Sequence, residues 1–152
     1  MSCLRADTNC TVSHIERKAI EVVAGLIVRD HRVLICQRSA SAKFPLKWEF
    51  PGGKVERGED PAEALRRELR EELAIEVLDS KEYSRHVHHY NDMPPVELRF
   101  YRVMRYRGEV KNLIFQQVVW AALPNLTQFD FLEGDLPLIK TLTGSNSGGL
   151  GF

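Results

Sequence analysis

Glu68, Glu71 and Glu72 fall at i, i+3 and i+4 within a run that reads as helix. At about 100° per residue they share one arc, beside an apolar stripe of Leu65, Leu69 and Leu73. Like charges at this spacing destabilise a helix by roughly 0.2–0.5 kcal/mol per pair. Two readings follow: a solvated face balanced by Arg66, Arg67 and Arg70, or a site that holds a cation. Pro51-Gly52-Gly53, a little upstream, favours the second, since a loop there would offer a free backbone carbonyl. Grouped carboxylates with such a carbonyl make a hard oxygen site, suited to Mg²⁺ or Mn²⁺ rather than zinc. These ions keep several waters and bind phosphates alongside one or two carboxylates.

The elements that must position these acids are legible in outline. Asp60-Pro61-Ala62-Glu63 reads as a helix start, with Asp60 as N-cap, Pro61 at the first helical position and Glu63 closing a capping box. Residues 21–29 and 32–38 are β-branched-rich runs split by Asp30-His31, which predicts a hairpin. Val22, Val23, Leu26, Ile27 and Val28 are apolar on both faces, as in a central strand covered on both sides. Residues 39–47 read as loop, 83–90 and 96–105 as a strand pair broken at Asn91-Asp92-Met93-Pro94-Pro95, 118–123 as a strand and 136–142 as a closing helix. This order predicts an α/β chain: one domain over 19–143, with a mixed sheet between helices. Residues 1–18 read as a poorly ordered lead-in and 144–152 as a flexible tail.

At Gly53, Glu59, Arg67, Glu68, Leu69, Glu71, Glu72 and Ile75 the chain resembles the Nudix hydrolases, whose box is G-x5-E-x7-R-E-U-x-E-E-x-G-U with U aliphatic. Ala74 stands where the box has its last glycine, which predicts a slightly different helix exit. The flank Trp48-Glu49-Phe50-Pro51-Gly52-Gly53-Lys54 is similar to the MutT-like branch, the nucleoside triphosphate pyrophosphohydrolases. The resemblance implies an α/β/α sandwich and Mg²⁺, or Mn²⁺ in its place, on Glu68, Glu71, Glu72 and the Gly52 carbonyl. It also implies a nucleotide substrate, hydrolysed to the monophosphate and pyrophosphate.

The remaining candidates carry alternatives. Arg67 lies beside the acids and pairs with one of them, holding its rotamer; Glu59 either orients the site or makes a structural loop contact. Gly53 lets the backbone approach the ligand. Arg38 and Lys54 are the cations for the phosphates, or else exposed charges. MutT-like enzymes often carry a loop glutamate ahead of the strand with the later tryptophan, here Trp120; this chain has Gln116-Gln117, so Glu71 or Glu72 is the expected general base. Asp135 stands where MutT-like sequences place the Asn or Asp that reads the base, flanked by Phe50; Asp135 could instead, or as well, N-cap the closing helix, and Phe50 could equally be core. A carboxylate there favours a base edge offering N–H, such as 8-oxo-guanine or cytosine. Nucleotide-pool sanitation of 8-oxo-dGTP leads, with CTP or another pyrimidine triphosphate second and a non-catalytic nucleotide-binding module third. His86, His88 and His89 read as solvated or hydrogen-bonded strand residues before metal ligands.

Composition bounds the partners. With 21 basic and 21 acidic residues the charges cancel, so no global field draws the chain to nucleic acid polymers or anionic membranes. No apolar run approaches the ~20 residues of a membrane helix, and the first residues lack the apolar block of a secretory signal. Cys3, Cys10 and Cys36 are odd in number and lack CxxC spacing, which predicts a reducing cytoplasm and neither disulfide nor zinc. A monomer or homodimer is expected.

Overall fold

The computed structural model describes residues 18–144. The lead-in and tail expected at the ends lie outside these residues, save for Lys18 and Gly144.

Strands β1 (Ile20–Arg29) and β2 (Arg32–Gln37) form the expected hairpin. Asp30 and His31 both take positive φ, 52° and 61°, as a two-residue type I′ turn requires. β3 (Trp48–Glu49) and β4 (Gly52–Lys54) precede helix α1 (Pro61–Leu73); β5 (Glu76–His88), β6 (Val96–Arg107) and β7 (Gln117–Ala122) follow. Two 3₁₀ turns, Leu123–Gln128 and Glu133–Asp135, lead into helix α2 (Leu136–Thr143).

The sheet order is β3-β2-β1-β6-β5, with β4 paired to β1 and β7 to β2. β1 runs parallel to β6 from Ile20 to Ile27 and antiparallel to β2 and β4, so the sheet is mixed. Side chains of β1 alternate between two cores. Val23 and Ile27 join Leu65, Leu69 and Leu73 of α1, whereas Ala24 and Leu26 join Phe50, Phe100 and Leu138, Ile139 and Leu142 of α2. β1 is therefore central and covered on both faces, and the architecture is the expected α/β/α sandwich in one domain.

Three local expectations are corrected. Gly52 and Gly53 lie in strand β4, because pairing to β1 overrides their weak strand preference. β5 begins at Glu76, well before residue 83; its first half is polar and bulged at Val77/Asp79, Asp79/Ser80 and Glu82/Ser84, as befits an exposed sheet edge. Leu123 opens a 3₁₀ turn rather than ending the strand.

At α1, the Asp60 carboxylate accepts from the Ala62 N–H at 3.0 Å, fulfilling the cap. The capping box gives way to an ion pair, since Glu63 lies 3.5 Å from Arg66. The helix exit also differs from expectation. Ala74 adopts the left-handed conformation, φ 58° and ψ 27°, that the family's glycine would take, and donates to the Arg70 carbonyl at 3.1 Å. That backbone costs an alanine roughly 1–2 kcal/mol, against about 0.5–1 kcal/mol of extra unfolded-state entropy for glycine. Ala74→Gly is therefore expected to raise Tm by about 1–4 °C in thermal denaturation. A fall in Tm would refute this account of the cap.

Candidate active site

The acids of α1 part company once the side chains are followed. Glu72 is 7% exposed, and its Oε2 accepts from the Gly52 N–H at 3.1 Å. Glu68 packs against Gly53 so closely that a β-carbon there would sit 2.5 Å from its carboxyl carbon. Glu71 turns outward, 3.6 Å from Arg67. Arg67 ties the group together: it donates from Nε and Nη2 to Glu59 at 2.9 Å, from Nη1 to Glu68 at 2.9 Å, and from Nη2 to the Lys54 carbonyl at 3.0 Å. Those Arg67 bonds, together with the Glu56 N–H, hold the Glu59 carboxyl down at about 2. Glu59 thus anchors the arginine that fixes Glu68.

A further acid, Glu49, went unrecognised in the sequence although it lies in the quoted flank. Its carboxylate is bound by Arg38 Nη1 at 3.0 and 3.1 Å, and burial raises its pKa. Arg38 also donates from Nε to the Lys43 carbonyl at 2.7 Å. Burial first, then the nearby charges of Glu68 and Glu49, push Glu72 up to about 9. Two carboxyls within hydrogen-bonding reach, with a third nearby, form an unfavourable arrangement that a proton or a cation relieves.

The donor set fits a hard divalent cation. Among the described residues no three acidic, histidine or cysteine side chains close a cage by themselves, so protein oxygens beyond the side chains and water must complete it. The Gly52 carbonyl would be the backbone candidate. Gly25 N–H donates to the Pro51 carbonyl and Val55 N–H to the Glu21 carbonyl, so the β1 ladder uses alternate residues of β4 and leaves the Gly52 groups facing away from β1, where its N–H meets Glu72.

A pH dependence follows from Glu72. A carboxyl raised in the folded state stabilises the metal-free protein fully below its ordinary value of 4.5, and that contribution is lost as pH rises toward about 9. Metal-free protein is expected to lose stability between about pH 5 and 9, and added Mg²⁺ to raise Tm more at pH 8.5 than at pH 6. Differential scanning calorimetry with and without Mg²⁺ checks this; an equal Mg²⁺ shift at both pH values would contradict it.

Beside the acids lies a cavity of about 320 Å³ lined by Arg38, Phe50, Gly52, Gly53, Lys54 and Asp135. The structure thus gathers every residue expected to bind substrate around one hollow, bordered by the backbone that contacts Glu68 and Glu72. Phe50 is both core and wall: it is 3% exposed and meets Phe100 edge-on at 6.1 Å. Asp135 makes no side-chain cap bond to α2, which overturns the capping alternative. Its carboxyl is buried, accepts from the Phe50 N–H, and is raised by burial and by Glu49. Lys43, Phe44, Tyr90 and Met93 complete the rim and were missed, because two loops remote in sequence meet there; Lys43 Nζ lies 2.9 Å from Met93 Sδ and the Phe44 and Tyr90 rings are 5.1 Å apart.

Both glutamines are tied to Gln37 of β2. Gln116 N–H donates to the Gln37 carbonyl at 2.9 Å and Gln117 Nε2 to the Gln37 side chain at 2.8 Å. Of the strand histidines, His86 is hydrogen-bonded as expected, its Nε2 2.6 Å from the Gly134 carbonyl, whereas His88 Nε2 is buried without a hydrogen-bond partner among the described residues, 3.6 Å from Glu133.

A mixed sheet between helices, with a glycine strand against the buried Glu72 and the half-buried Glu68 and a hollow beside them, is the arrangement to set against known proteins. The NUDIX domain family model matches residues 19–137. The chain is 36% identical over 123 residues to the CTP pyrophosphohydrolase of Escherichia coli strain K12, covering 81% of this chain and 90% of that protein. It is 34% identical over 128 residues to the 8-oxo-dGTP diphosphatase of Haemophilus influenzae, covering 84% and 93%. A MutT structure from a study of Aliivibrio salmonicida and Vibrio cholerae superposes with a TM-score of 0.70 at 29% identity, covering 83% of this chain and 98% of that one. The chain belongs to the NUDIX family. Within it, this is a MutT-like pyrophosphohydrolase.

Proposed function

We propose that the enzyme hydrolyses a nucleoside triphosphate to the monophosphate and pyrophosphate with Mg²⁺, and that 8-oxo-dGTP is its preferred substrate class. The observation that carries this reading is the buried Asp135 carboxyl on the wall of the cavity. Ionised, it accepts only; protonated, it offers one O–H donor beside an acceptor. In either form it favours a base edge with N–H. Oxidation at C8 gives guanine an N7–H next to its O6 acceptor, whereas ordinary guanine presents acceptors at both.

Glu68, Glu72 and the Gly52 carbonyl would hold the cation, with Glu71 available at the solvent edge. When bound, the cation neutralises phosphate charge and lowers the pKa of water. The chain's own residues do the rest. Arg67, braced by Glu59, keeps the Glu68 carboxylate in place; Lys54 and Arg38 face the phosphates from the cavity wall; Glu71 is the acid left to take the proton from the attacking water. Water adds to phosphorus as the bridging P–O bond breaks, and the leaving pyrophosphate carries off the electron pair.

A second reading, CTP or a related pyrimidine triphosphate, is favoured by the likeness to the E. coli CTP pyrophosphohydrolase and by the 4-amino group of cytosine, which also suits Asp135. A panel of 8-oxo-dGTP, dGTP and CTP, with pyrophosphate and phosphate measured separately, decides between them. Asp135→Ala is expected to reduce the kcat/KM ratio between preferred base and dGTP at least about tenfold, while retaining triphosphate cleavage. An unchanged ratio would remove Asp135 from base reading. Nucleotide binding without hydrolysis across the panel would return the chain to a binding role. No helix among the described residues is long and apolar enough to cross a membrane, which is compatible with work on the free nucleotides of the cytoplasm.

A further inference from the structure

Asp135 makes no capping bond to its own helix, yet its carboxyl is buried at a fixed place in the cavity wall. What fixes it comes from β5 and the turn that follows. The Tyr90 hydroxyl accepts from the Gly134 N–H at 3.0 Å, and His86 Nε2 lies 2.6 Å from the Gly134 carbonyl. Both backbone groups of the residue before Asp135 are thereby held by side chains four positions apart in sequence.

The fit leaves no slack. A β-carbon on Gly134 would sit 2.7 Å from the Tyr90 hydroxyl and 2.8 Å from Leu98 Cδ1, so only glycine lets the turn approach this closely. Each holding side chain is braced in turn. His86 stacks on Phe100 with ring centroids 5.7 Å apart, and His88 meets Tyr90 edge-on at 4.4 Å. Phe100 packs edge-on against Phe50, whose N–H grips the carboxyl of Asp135 itself. The carboxyl is thus located from one side by Phe50 and from the other by the clasped peptide.

We propose that His86 and Tyr90 are positioning residues for base selection, acting through Gly134 to set the Asp135 carboxyl. The inference rests on the base-reading role of Asp135. His86 stands outside the cavity lining, and Tyr90 lines it with its ring while its hydroxyl is engaged by Gly134, so both should govern which base is accepted through the Gly134 turn. A misplacement of about 1 Å is enough to degrade a hydrogen-bonded recognition.

The test is a double-mutant cycle read on two substrates, the preferred triphosphate and dGTP. Tyr90→Phe deletes only the hydroxyl. It keeps the ring on the cavity rim and is expected to lower kcat/KM for the preferred base about tenfold through KM, shifting the ratio between the two bases by a similar factor. His86→Ala, at a residue outside the cavity lining, should shift the ratio equally with kcat within about twofold and dGTP turnover nearly unchanged, and His86→Gln, which restores an N–H donor to the Gly134 carbonyl, should recover most of the loss. In an Asp135→Ala background neither change should alter the base ratio further. Equal losses on both substrates, a loss confined to kcat, or additivity with Asp135→Ala would each overturn the proposal. A thermal melt accompanies each variant, and a Tm loss without a change in base ratio likewise counts against it. If Asp135→Ala flattens the base preference but the two clasp variants do not, the clasp fails alone; if Asp135→Ala leaves the preference intact, the base-reading role fails and takes the clasp with it.

Discussion

Glu72→Gln is expected to lower turnover by at least about 10³-fold, roughly 4 kcal/mol of transition-state stabilisation, while the protein stays folded. The reason lies in what the substitution keeps and what it removes. Glutamine has the same shape, and its amide oxygen can still accept from the Gly52 N–H that Glu72 now binds at 3.1 Å. Its amide nitrogen can donate to the neighbouring Glu68. The apolar stripe of Leu65, Leu69 and Leu73 is untouched. Only the charge is lost, and with it the hard anionic oxygen a divalent cation requires. The same loss removes the carboxyl that burial, Glu68 and Glu49 push up to about 9, so the metal-free variant should be more stable than wild type at pH 8 and less sensitive to pH. Pyrophosphate release at saturating Mg²⁺ and metal-free thermal melts across pH 5–9 measure the two effects. Activity within tenfold of wild type would sink the metal assignment, as would a variant that fails to fold.

The division between what the sequence disclosed and what it concealed follows the range of the interactions. The α1 stripe, its Asp60 cap and its acids all lie within one helix, where a period of 3.6 residues carries the geometry. The β1–β2 hairpin was equally local, because Asp30-His31 must bend between two β-branched runs. Glu49 was concealed because its significance depends on Arg38 and Glu72, brought to it by a two-residue strand with no periodicity of its own. Strand β4 was concealed because two glycines advertise a turn, and only the edge of β1 makes them extended. For Asp135, capping and base reading call for the same side chain at the same place, and the choice rests on where Phe50 N–H and the cavity lie in space. The family resemblance supplied the candidates there; the structure removes the capping role by leaving the helix without a side-chain cap, and base reading rests on the proposal above.

The two glycines of β4 separate fold from chemistry, and substituting each with alanine should break a different one. At Gly52, φ is 156° and a β-carbon would overlap the Val23 carbonyl oxygen, with the Ala24 Cα and the Val23 carbonyl carbon close behind. Every one of these atoms is backbone of the central strand, so nothing can swing aside. Gly52→Ala should cost more than about 4 kcal/mol, of the order seen for the most damaging single substitutions, and yield little folded protein. At Gly53 the obstructing atoms are instead the Glu68 carboxyl, 2.5–2.7 Å from the added carbon. That group ends a flexible side chain and can retreat, so Gly53→Ala should fold, with Tm lowered by only a few degrees. Its retreat carries Glu68 off the backbone and strains the bond from Arg67, which Glu59 holds in a fixed place. The expected result is a kcat reduced about 10²-fold at near-normal stability. Circular dichroism melts and pyrophosphate release, run on both variants, distinguish the outcomes. A stable, active Gly52→Ala would overturn the packing argument for β4, and a fully active Gly53→Ala would mean that the Glu68 carboxylate does not act from the position the fold gives it.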